Sequence, residues 1–283
     1  MFLFSTGKAG IWRSVRNTVF DPKGLDNIIK QLVRCLTGVK RNRNGNRNIE
    51  NMRTQTSDNV KIGNIRYFTE LKGDAPISVY VVSGEKGDML IDTGFSTTTQ
   101  ALVRWISEKG YNITDIFITH AHPDHDWNAA RFKQLFNARI WLGKEDLSLI
   151  RNFADQPQTP THSRFVSRVK RISFWTKTPL FKSKHYVPDI LIDENANEVA
   201  KQYGYDIEFV HLPGHTKGSY GILKDGVLYA GDSYAVLNGT PMEPPHAYSI
   251  EEMKDSVRKI AELSPEYLAC GHGVPFLFAD HMM

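Results

Sequence analysis

Cysteine is scarce in this chain of 283 residues, which holds only Cys35 and Cys270. Two cysteines form one disulfide at most, so a fold built on a disulfide framework is excluded. Long apolar runs are also missing, since no stretch approaches the roughly 20 apolar residues that a membrane-spanning helix needs. Residues 1–4 are too few for the core of a signal peptide, and no charged segment precedes them. These absences predict a cytoplasmic protein.

Acidic residues are scarce in two segments. Residues 1–53 hold 11 lysines and arginines against 3 acidic residues, and residues 151–188 hold 8 against a single acid, Asp155. The two segments therefore carry charges of +8 and +7 in a chain whose net charge is +4, which leaves −11 for the remainder. An acidic core with two basic attachments predicts an anionic partner or surface.

A cluster of metal-binding side chains fills residues 120–125, where His120, His122, Asp124 and His125 occur. Side chains two apart in an extended segment point the same way, so His120 and His122 can bind one ion together, while Asp124 and His125 face a neighbouring point. Imidazole nitrogens and carboxylate oxygens suit zinc and iron. The pattern predicts a metal site, with a chance histidine cluster in a loop as the alternative.

This cluster lies between a predicted strand and a predicted helix. Residues 113–119 form a β-branched run typical of a strand, and residues 128–137 place apolar side chains on one helical face, Leu135 among them. Rigid elements on both sides fix a loop in place, so the turn between them can aim its side chains inward.

Four ligands are too few for two ions with open positions, and three further candidates occur downstream. His215, Asp232 and His272 each follow a short apolar run that predicts a strand, and each is next to glycine. Glycine lets the backbone turn sharply at a strand end. All the predicted ligands are therefore expected where strands end.

The ordered motifs HxHxDH, Gly-His-Thr, Gly-Asp and Gly-His-Gly resemble the metallo-β-lactamase superfamily of metallo-hydrolases over about residues 60–276. The resemblance implies an α/β fold, a four-layer αβ/βα sandwich with its site at one edge. It also implies two divalent ions, with zinc expected and iron or manganese as alternatives. By this resemblance the first ion would be held by His120, His122 and His215, and the second by Asp124, His125 and His272. The two ions would be bridged by Asp232.

Three more residues have competing interpretations. In the superfamily, an aspartate at the place of Asp92 supports the metal site from outside the ligand set, whereas here it could instead cap the helix that follows. Tyr234 follows the predicted bridging carboxylate by two residues and either hydrogen-bonds a substrate carbonyl or only packs. Trp127 is an indole close to the ligands that would narrow the pocket.

Two attachments accompany the predicted catalytic domain of residues 56–283. Residues 1–55 are predicted to be a basic extension with an amphipathic helix, which docks on the domain or a partner chain or lies on a membrane surface. No sequence motif supports nucleic-acid binding by this extension.

Residues 150–188 mix aromatic and basic side chains and predict a helical lid over an acyl or anionic substrate, or a packed subdomain with solvated charges. Its histidines, His162 and His185, are expected on the surface.

The resemblance implies a hydrolase in which a hydroxide held by both ions attacks an ester, thioester, lactone or phosphoester. Asp124 would also orient the nucleophile or take up its proton. The alternatives are a mononuclear iron enzyme similar to persulfide dioxygenases, and a non-catalytic membrane-surface or partner-binding protein. The expected partners are a small-molecule substrate and a second copy in a homodimer. Few residues follow Phe278, which argues against hydroxyacylglutathione hydrolases with a helical C-terminal domain. The sequence does not identify the substrate.

Overall fold

The computed structural model describes residues 54–56, 63–71, 75–152, 155–170 and 185–279. The amphipathic helix predicted within residues 1–55 and the middle of the predicted lid lie outside these residues, and both stay predictions. None of the helices that the structure describes combines the length and apolar character needed to cross a membrane.

Seven strands build the first sheet. They are β1 (Thr54–Thr56), β2 (Arg66–Glu70), β3 (Ile77–Ser83), β4 (Asp88–Ile91), β5 (Ile113–Ile118), β6 (Arg139–Gly143) and β8 (Ile190–Ile192), in that spatial order. The strands from β1 to β4 are antiparallel, whereas those from β4 to β8 are parallel. Parallel strands end at the same edge, so the loop after β5 lies at the carboxyl edge of this sheet.

Five strands build the second sheet, and four shorter strands form two further pairs. The sheet contains β9 (Glu208–His211), β10 (Tyr220–Lys224), β11 (Val227–Gly231), β15 (Tyr267–Cys270) and β16 (Phe276–Leu277), in the order β16-β15-β11-β10-β9. The pairs are β12 (Ala235–Leu237) with β13 (Thr240–Met242), and β7 (Thr159–Pro160) with β14 (His246–Ala247). Strands β11 and β15 are parallel, so both deliver their following residues to one edge.

The helices of the described residues are α1 (Thr99–Lys109), α2 (Pro123–Asp126), α3 (Ala129–Phe136), α4 (Ala196–Gln202) and α5 (Ile250–Leu263). Helices α1 and α3 cover the outer face of the first sheet and α5 covers that of the second, whereas α4 contributes Ala196 and Ala200 to the core between the sheets.

Three clusters of buried side chains give four layers. The first lies between the sheets, where Phe117 meets Phe209 with ring centroids 5.3 Å apart. The second lies between the first sheet and helices α1 and α3, and includes Leu102 and Phe132. The third lies between the second sheet and α5, through Ile260. The predicted four-layer αβ/βα sandwich is therefore confirmed.

Two local predictions need correction. The alternation of apolar and polar residues predicts a half-buried strand over residues 60–68, but among the described residues β2 begins only at Arg66, because Gly63, with φ of 55°, places a turn before it. Leu135 was expected on the buried face of α3 but is 52% exposed. At 100° per residue, Leu135 lies about 100° around the helix from Phe136, outside the face that Ala129 and Phe132 bury.

Candidate metal centre

The ends of three strands meet at one edge of the sandwich. His120 follows β5, Asp232 follows β11 and His272 follows β15, while the loop after β9 carries His215 to the same edge. Hydrogen bonds between the two sheets fix this arrangement: Tyr220 N donates to the Thr119 carbonyl at 3.0 Å, and an antiparallel bridge joins Ile77 to His272.

The structure brings all seven predicted ligand residues together. The ligand atoms of His120, His122 and His215 lie within 4.8 Å of one another, and so do those of Asp124, His125 and His272. In the first group, His122 Nδ1 is 3.0 Å from His215 Nε2. In the second, Asp124 Oδ2 is 3.3 Å from His272 Nε2 and 3.8 Å from His125 Nε2.

Asp232 lies between these two groups. Its Oδ2 is 3.6 Å from His215 Nε2 and 3.2 Å from His272 Nε2, while its Oδ1 is 3.5 Å from His125 Nε2. One carboxylate therefore reaches a histidine of the first group and two of the second, which is the position that a bridging ligand requires.

Four of these imidazoles are held from outside through Nδ1. His215 Nδ1 donates to the His246 carbonyl at 3.0 Å, and His272 Nδ1 donates to the Pro76 carbonyl at 3.2 Å. His125 Nδ1 donates to Asp92 Oδ2 at 2.8 Å, and His120 Nδ1 lies 3.0 Å from Thr119 Oγ1. Such partners fix the ring and its tautomer, so that Nε2 is presented to a metal ion.

Asp92 supports both groups at once. The Thr119 hydroxyl donates to Asp92 Oδ2 at 2.9 Å. The lone pairs of the Thr119 hydroxyl oxygen therefore remain to accept a hydrogen bond from His120 Nδ1. Asp92 Oδ1 also accepts from the Thr119 backbone N at 2.8 Å. The alternative, an N-cap, is wrong, because α1 begins after Thr98 and Asp92 lies six residues before that position.

The two donor groups differ in the charge of their side chains. Burial lowers the pKa of His120, His122 and His215, so the first group is a set of neutral nitrogen donors. Burial alone would also lower the pKa of His272, but Asp232 and Asp124 outweigh it and raise that pKa to about 10. The second group is therefore rich in carboxylate charge.

This donor set fits two divalent ions. His120 Nε2 is buried and makes no hydrogen bond to any residue that the structure describes. A buried nitrogen left in this state costs free energy, and a metal ion would use its lone pair. Three imidazoles suit zinc or iron, and mixed imidazole and carboxylate donors suit the same ions as well as manganese.

Sequence reasoning missed three residues around the site. Asp146 is buried and accepts from Ala121 N, Gly218 N and the Thr216 hydroxyl, which ties the loops that carry the first group, and burial raises its pKa to about 6. Gln156 Nε2 donates to the His215 carbonyl at 2.8 Å. His246 packs its ring 4.7 Å from that of His215. None has a neighbouring motif, so no local signal could have found them.

The two aromatic candidates lie near the site. Tyr234 is half-buried and packs on Phe276 with ring centroids 6.4 Å apart, so its role toward a substrate stays a prediction. Trp127 is half-buried and lies against Phe95, 4.8 Å between centroids.

The first part of the predicted lid is attached beside the site. Strand β7 pairs with β14, and Thr161 donates to the carbonyls of Pro244 and Pro245. His162 and His185 are exposed, as expected.

A family model described as the metallo-beta-lactamase superfamily matches residues 73–272. The chain belongs to the metallo-β-lactamase superfamily. Within the superfamily it is similar to the hydroxyacylglutathione hydrolase GloC of Haemophilus influenzae, 30% identical over 151 residues that cover 52% of this chain and 61% of that protein. It is also similar to the probable metallo-hydrolase YflN of Bacillus subtilis, 25% identical over 240 residues that cover 76% and 82% of the two chains.

Solved structures share the fold. The crystal structure of TTHA1623 in a di-iron-bound form has a TM-score of 0.53 and 21% identity, and the match covers 77% of this chain and 93% of that one.

Proposed function

We propose that this protein is a dinuclear metal hydrolase that cleaves an ester, thioester, lactone or phosphoester, with zinc as the expected ion. The observation that carries the proposal is the position of Asp232 between two complete donor groups. A mononuclear iron enzyme would not need the second group, which consists of Asp124, His125 and His272.

Two divalent ions in these groups would lower the pKa of a water towards about 7 and polarise the substrate oxygen. The protein supplies the orientation. Asp124 is the most exposed of the seven residues, with 37% of its side chain accessible, so its carboxylate can hold the attacking water and receive its proton. Asp92 keeps His120 and His125 in the tautomer that leaves Nε2 for a metal.

A thioester is the first substrate class to examine. One relative carries the name hydroxyacylglutathione hydrolase, so that class returns as a candidate although the sequence argued against it. The structure of a relative with two irons keeps iron as an alternative ion. Basic residues at the start of the lid, Arg164 and Arg168, favour a substrate with an anionic part.

The proposal is tested by metal analysis together with a substrate panel. The full chain is purified without added metal, its metal content is measured, and it is assayed on a thioester, a lactone, an aryl ester and a phosphodiester. About two zinc ions per chain and turnover of one class would support the proposal. One iron per chain, with oxygen uptake on a persulfide and no hydrolysis, would favour the dioxygenase.

Substitutions in the second group give a sharper test. Asp124→Ala and His125→Ala should each lower kcat by about 100-fold or more and leave the fold intact, because each removes a ligand of the second ion. His185→Ala, which removes an exposed imidazole, is the matched control and should retain wild-type turnover. Full turnover by either ligand variant would show that the second ion takes no part. Tyr234→Phe, assayed in parallel, tests the phenol as a substrate contact.

A further inference from the structure

Asp146 is a buried carboxylate that belongs to neither donor group. It ends the short 3-10 helix Lys144–Asp146, which follows β6, and the residue is 0% exposed. A buried carboxylate needs hydrogen-bond donors from the protein, because a buried charge without partners costs several kcal/mol. Its three donors all lie on the two chain segments that carry the ligands of the first group.

The first segment is the turn that contains His120 and His122. Ala121 stands between these histidines, and its backbone N donates to Asp146 Oδ2 at 2.9 Å. This hydrogen bond fixes the peptide group that joins His120 to Ala121. The directions of both imidazoles depend on the backbone at this point, so Asp146 holds the turn from which the first two ligands project.

The second segment is the loop that follows His215. The Thr216 hydroxyl donates to Asp146 Oδ2 at 2.8 Å, and Gly218 N donates to Asp146 Oδ1 at 2.8 Å. The approach is close, since a Cβ on Gly218 would lie 2.7 Å from Asp146 N and 2.8 Å from Asp146 Oδ1. Asp146 therefore fixes the backbone directly after the third ligand, and one carboxylate joins both segments.

Asp92, the other carboxylate that supports the site, acts on different ligands. It accepts from His125 Nδ1 of the second group, and it holds His120 of the first group through the Thr119 hydroxyl. Within the described parts of the chain, the Asp146 carboxylate makes no hydrogen bond to helix α2 or to the residues that follow β11 and β15. These elements carry the second group and the bridging carboxylate, so Asp146 acts on the first group alone, whereas Asp92 acts on both.

We infer that Asp146 is a positioning residue that sets how tightly the first group binds its ion, while the second group does not depend on it. Removal of this carboxylate would leave two buried backbone N–H groups, those of Ala121 and Gly218, without their acceptor. The turn and the loop would then move to find other partners, and the distances between the three imidazoles would change. The protein would fill only the second group at metal concentrations that fill both groups of the wild type. This inference rests on the proposed function, which places one ion in each group.

The test measures the two ions separately. Cobalt(II) is titrated into the metal-free full chain, and its visible absorption distinguishes the two groups, because ligand type and geometry determine the spectrum of the bound ion. Burial raises the pKa of Asp146 to about 6, so the titration is made at about pH 8, where this carboxyl group is ionised. The measured quantities are the dissociation constants of the first and the second group.

Two substitutions remove the hydrogen bonds in steps. Asp146→Asn keeps one accepting oxygen where the carboxylate has two, and Asp146→Ala keeps none. The dissociation constant of the first group should rise about tenfold in Asp146→Asn and about 100-fold in Asp146→Ala, which is the range for residues that hold metal ligands in place. The dissociation constant of the second group should keep its wild-type value in both variants. Circular dichroism checks the fold, and the asparagine variant, which keeps the size of the side chain, decides the matter if the alanine variant does not fold.

Two further variants separate this role from a structural one. Asp115→Asn is the matched control, because Asp115 is also a buried carboxylate with several donors but lies near the start of β5, away from the ligand turn. This variant should lose stability while both cobalt dissociation constants keep their wild-type values. Asp92→Asn is the opposite comparison and should weaken both groups, since Asp92 supports a histidine of each.

Three results would overturn the inference. They are unchanged affinity of the first group in both Asp146 variants, an equal loss in the two groups, and the same loss at the first group in Asp115→Asn, which would make reduced stability the cause. Because ion binding is measured without substrate, an enzyme that hydrolyses nothing in the panel would count against the proposed function and not against Asp146. A wild type that binds no cobalt at the first group would overturn both.

Discussion

Asp92 connects the two donor groups although it belongs to neither. Its Oδ2 accepts from both His125 Nδ1 and the Thr119 hydroxyl, which in turn accepts from His120. It does so from the left-handed region of backbone conformation, with φ of 61°, where aspartate is tolerated better than most residues. The carboxylate is therefore aimed at two donors by an unusual turn.

Asp92→Asn should lower metal content and activity without unfolding the protein. The amide of asparagine has one accepting oxygen, and its NH₂ group would face at least one of the hydrogen-bond donors that the Asp92 carboxylate now accepts from. The two histidine rings would therefore lose their orientation. Losses of metal affinity or activity of about 10- to 100-fold are typical of such changes. The readouts are metal per chain after dialysis, kcat, and circular dichroism. Asp225→Asn is the matched control, since Asp225 is exposed and also has a positive φ, 49°. Equal metal content in both variants would contradict the role given to Asp92.

Asp115 is a buried carboxylate with four kinds of donor around it. Arg139 donates to both oxygens at 2.7 Å, and Trp141, Tyr205 and Thr114 add further hydrogen bonds. Burial opposes ionisation, but these donors outweigh it and lower the pKa of Asp115 below its usual value of 3.8.

Asp115→Asn should reduce the free energy of unfolding in a pH-dependent manner. A lowered pKa in the folded state means that the carboxylate contributes stability above the unfolded pKa, and that this contribution is lost as the pH falls through the folded pKa. At pH 7 the loss should be about 2 kcal/mol, less than for a fully buried pair because Arg139 is 38% exposed. Urea unfolding between pH 7 and pH 3 should show a constant difference from wild type down to about pH 4, then convergence. Asp206→Asn, at an exposed position, is the control; a difference that grew below pH 4 would contradict the assignment.

Helix α5 and the loop that carries His215 are packed backbone against backbone. Gly214 has φ of 126°, and a Cβ there would overlap the backbone N and Cα of Met253 in the first turn of α5. Ser249 caps this helix by accepting from Glu252 N at 3.2 Å, and its own N–H donates to the Gly214 carbonyl. The helix start and the first donor group are thus positioned together.

Gly214→Ala should displace α5 or the His215 loop. The expected loss of stability is about 3 kcal/mol or more, since overlap with backbone atoms cannot be relieved by a side-chain rotation. Zinc at the first group should also be lost. Gly239→Ala separates this clash from conformational strain, because Gly239 has φ of 73° but open space around it. Thermal melting and metal content are measured for both variants. Equal losses of stability in the two variants would show that the positive φ alone explains the effect.

Across the whole molecule, the donor groups join the two sheets. The first sheet contributes His120, His122, Asp124 and His125 through the segment after β5, and the second contributes His215, Asp232 and His272. An ion bound by both sets would therefore oppose separation of the sheets.

Metal removal should lower the melting temperature. A ligand that binds only the folded state at 1,000 times its Kd adds about 4 kcal/mol, which for a domain of this size is about 10 °C. Melting is measured before and after treatment with a chelator and after zinc is restored, with magnesium as the control ion. An unchanged melting temperature after complete metal loss would contradict the joining role of these groups.

How much could be predicted from the sequence depended on how local each signal was. Strand periodicity and glycine placement put the ligands at strand ends, and the structure has those strands at nearly the expected residues. The turn at Gly63 and the exposed Leu135 were missed, since a strand pattern does not show where a turn interrupts it and a helix pattern does not show how wide its buried face is. The support from Asp146 depends on contacts with residues 25 to 72 positions away, for which no periodicity exists.

The sequence by itself determined the superfamily, the layer order and the identity of the seven candidate ligands, because hydrophobic period and motif order are encoded within a few residues. Only the tertiary structure decided which oxygen atoms hold four of the five imidazoles and that His246 lies beside the first donor group. His246 follows two prolines with no ligand-type neighbour, and it reaches His122 and His215 only because β14 pairs with β7. Such pairing is set by packing of distant segments, which a local pattern does not contain.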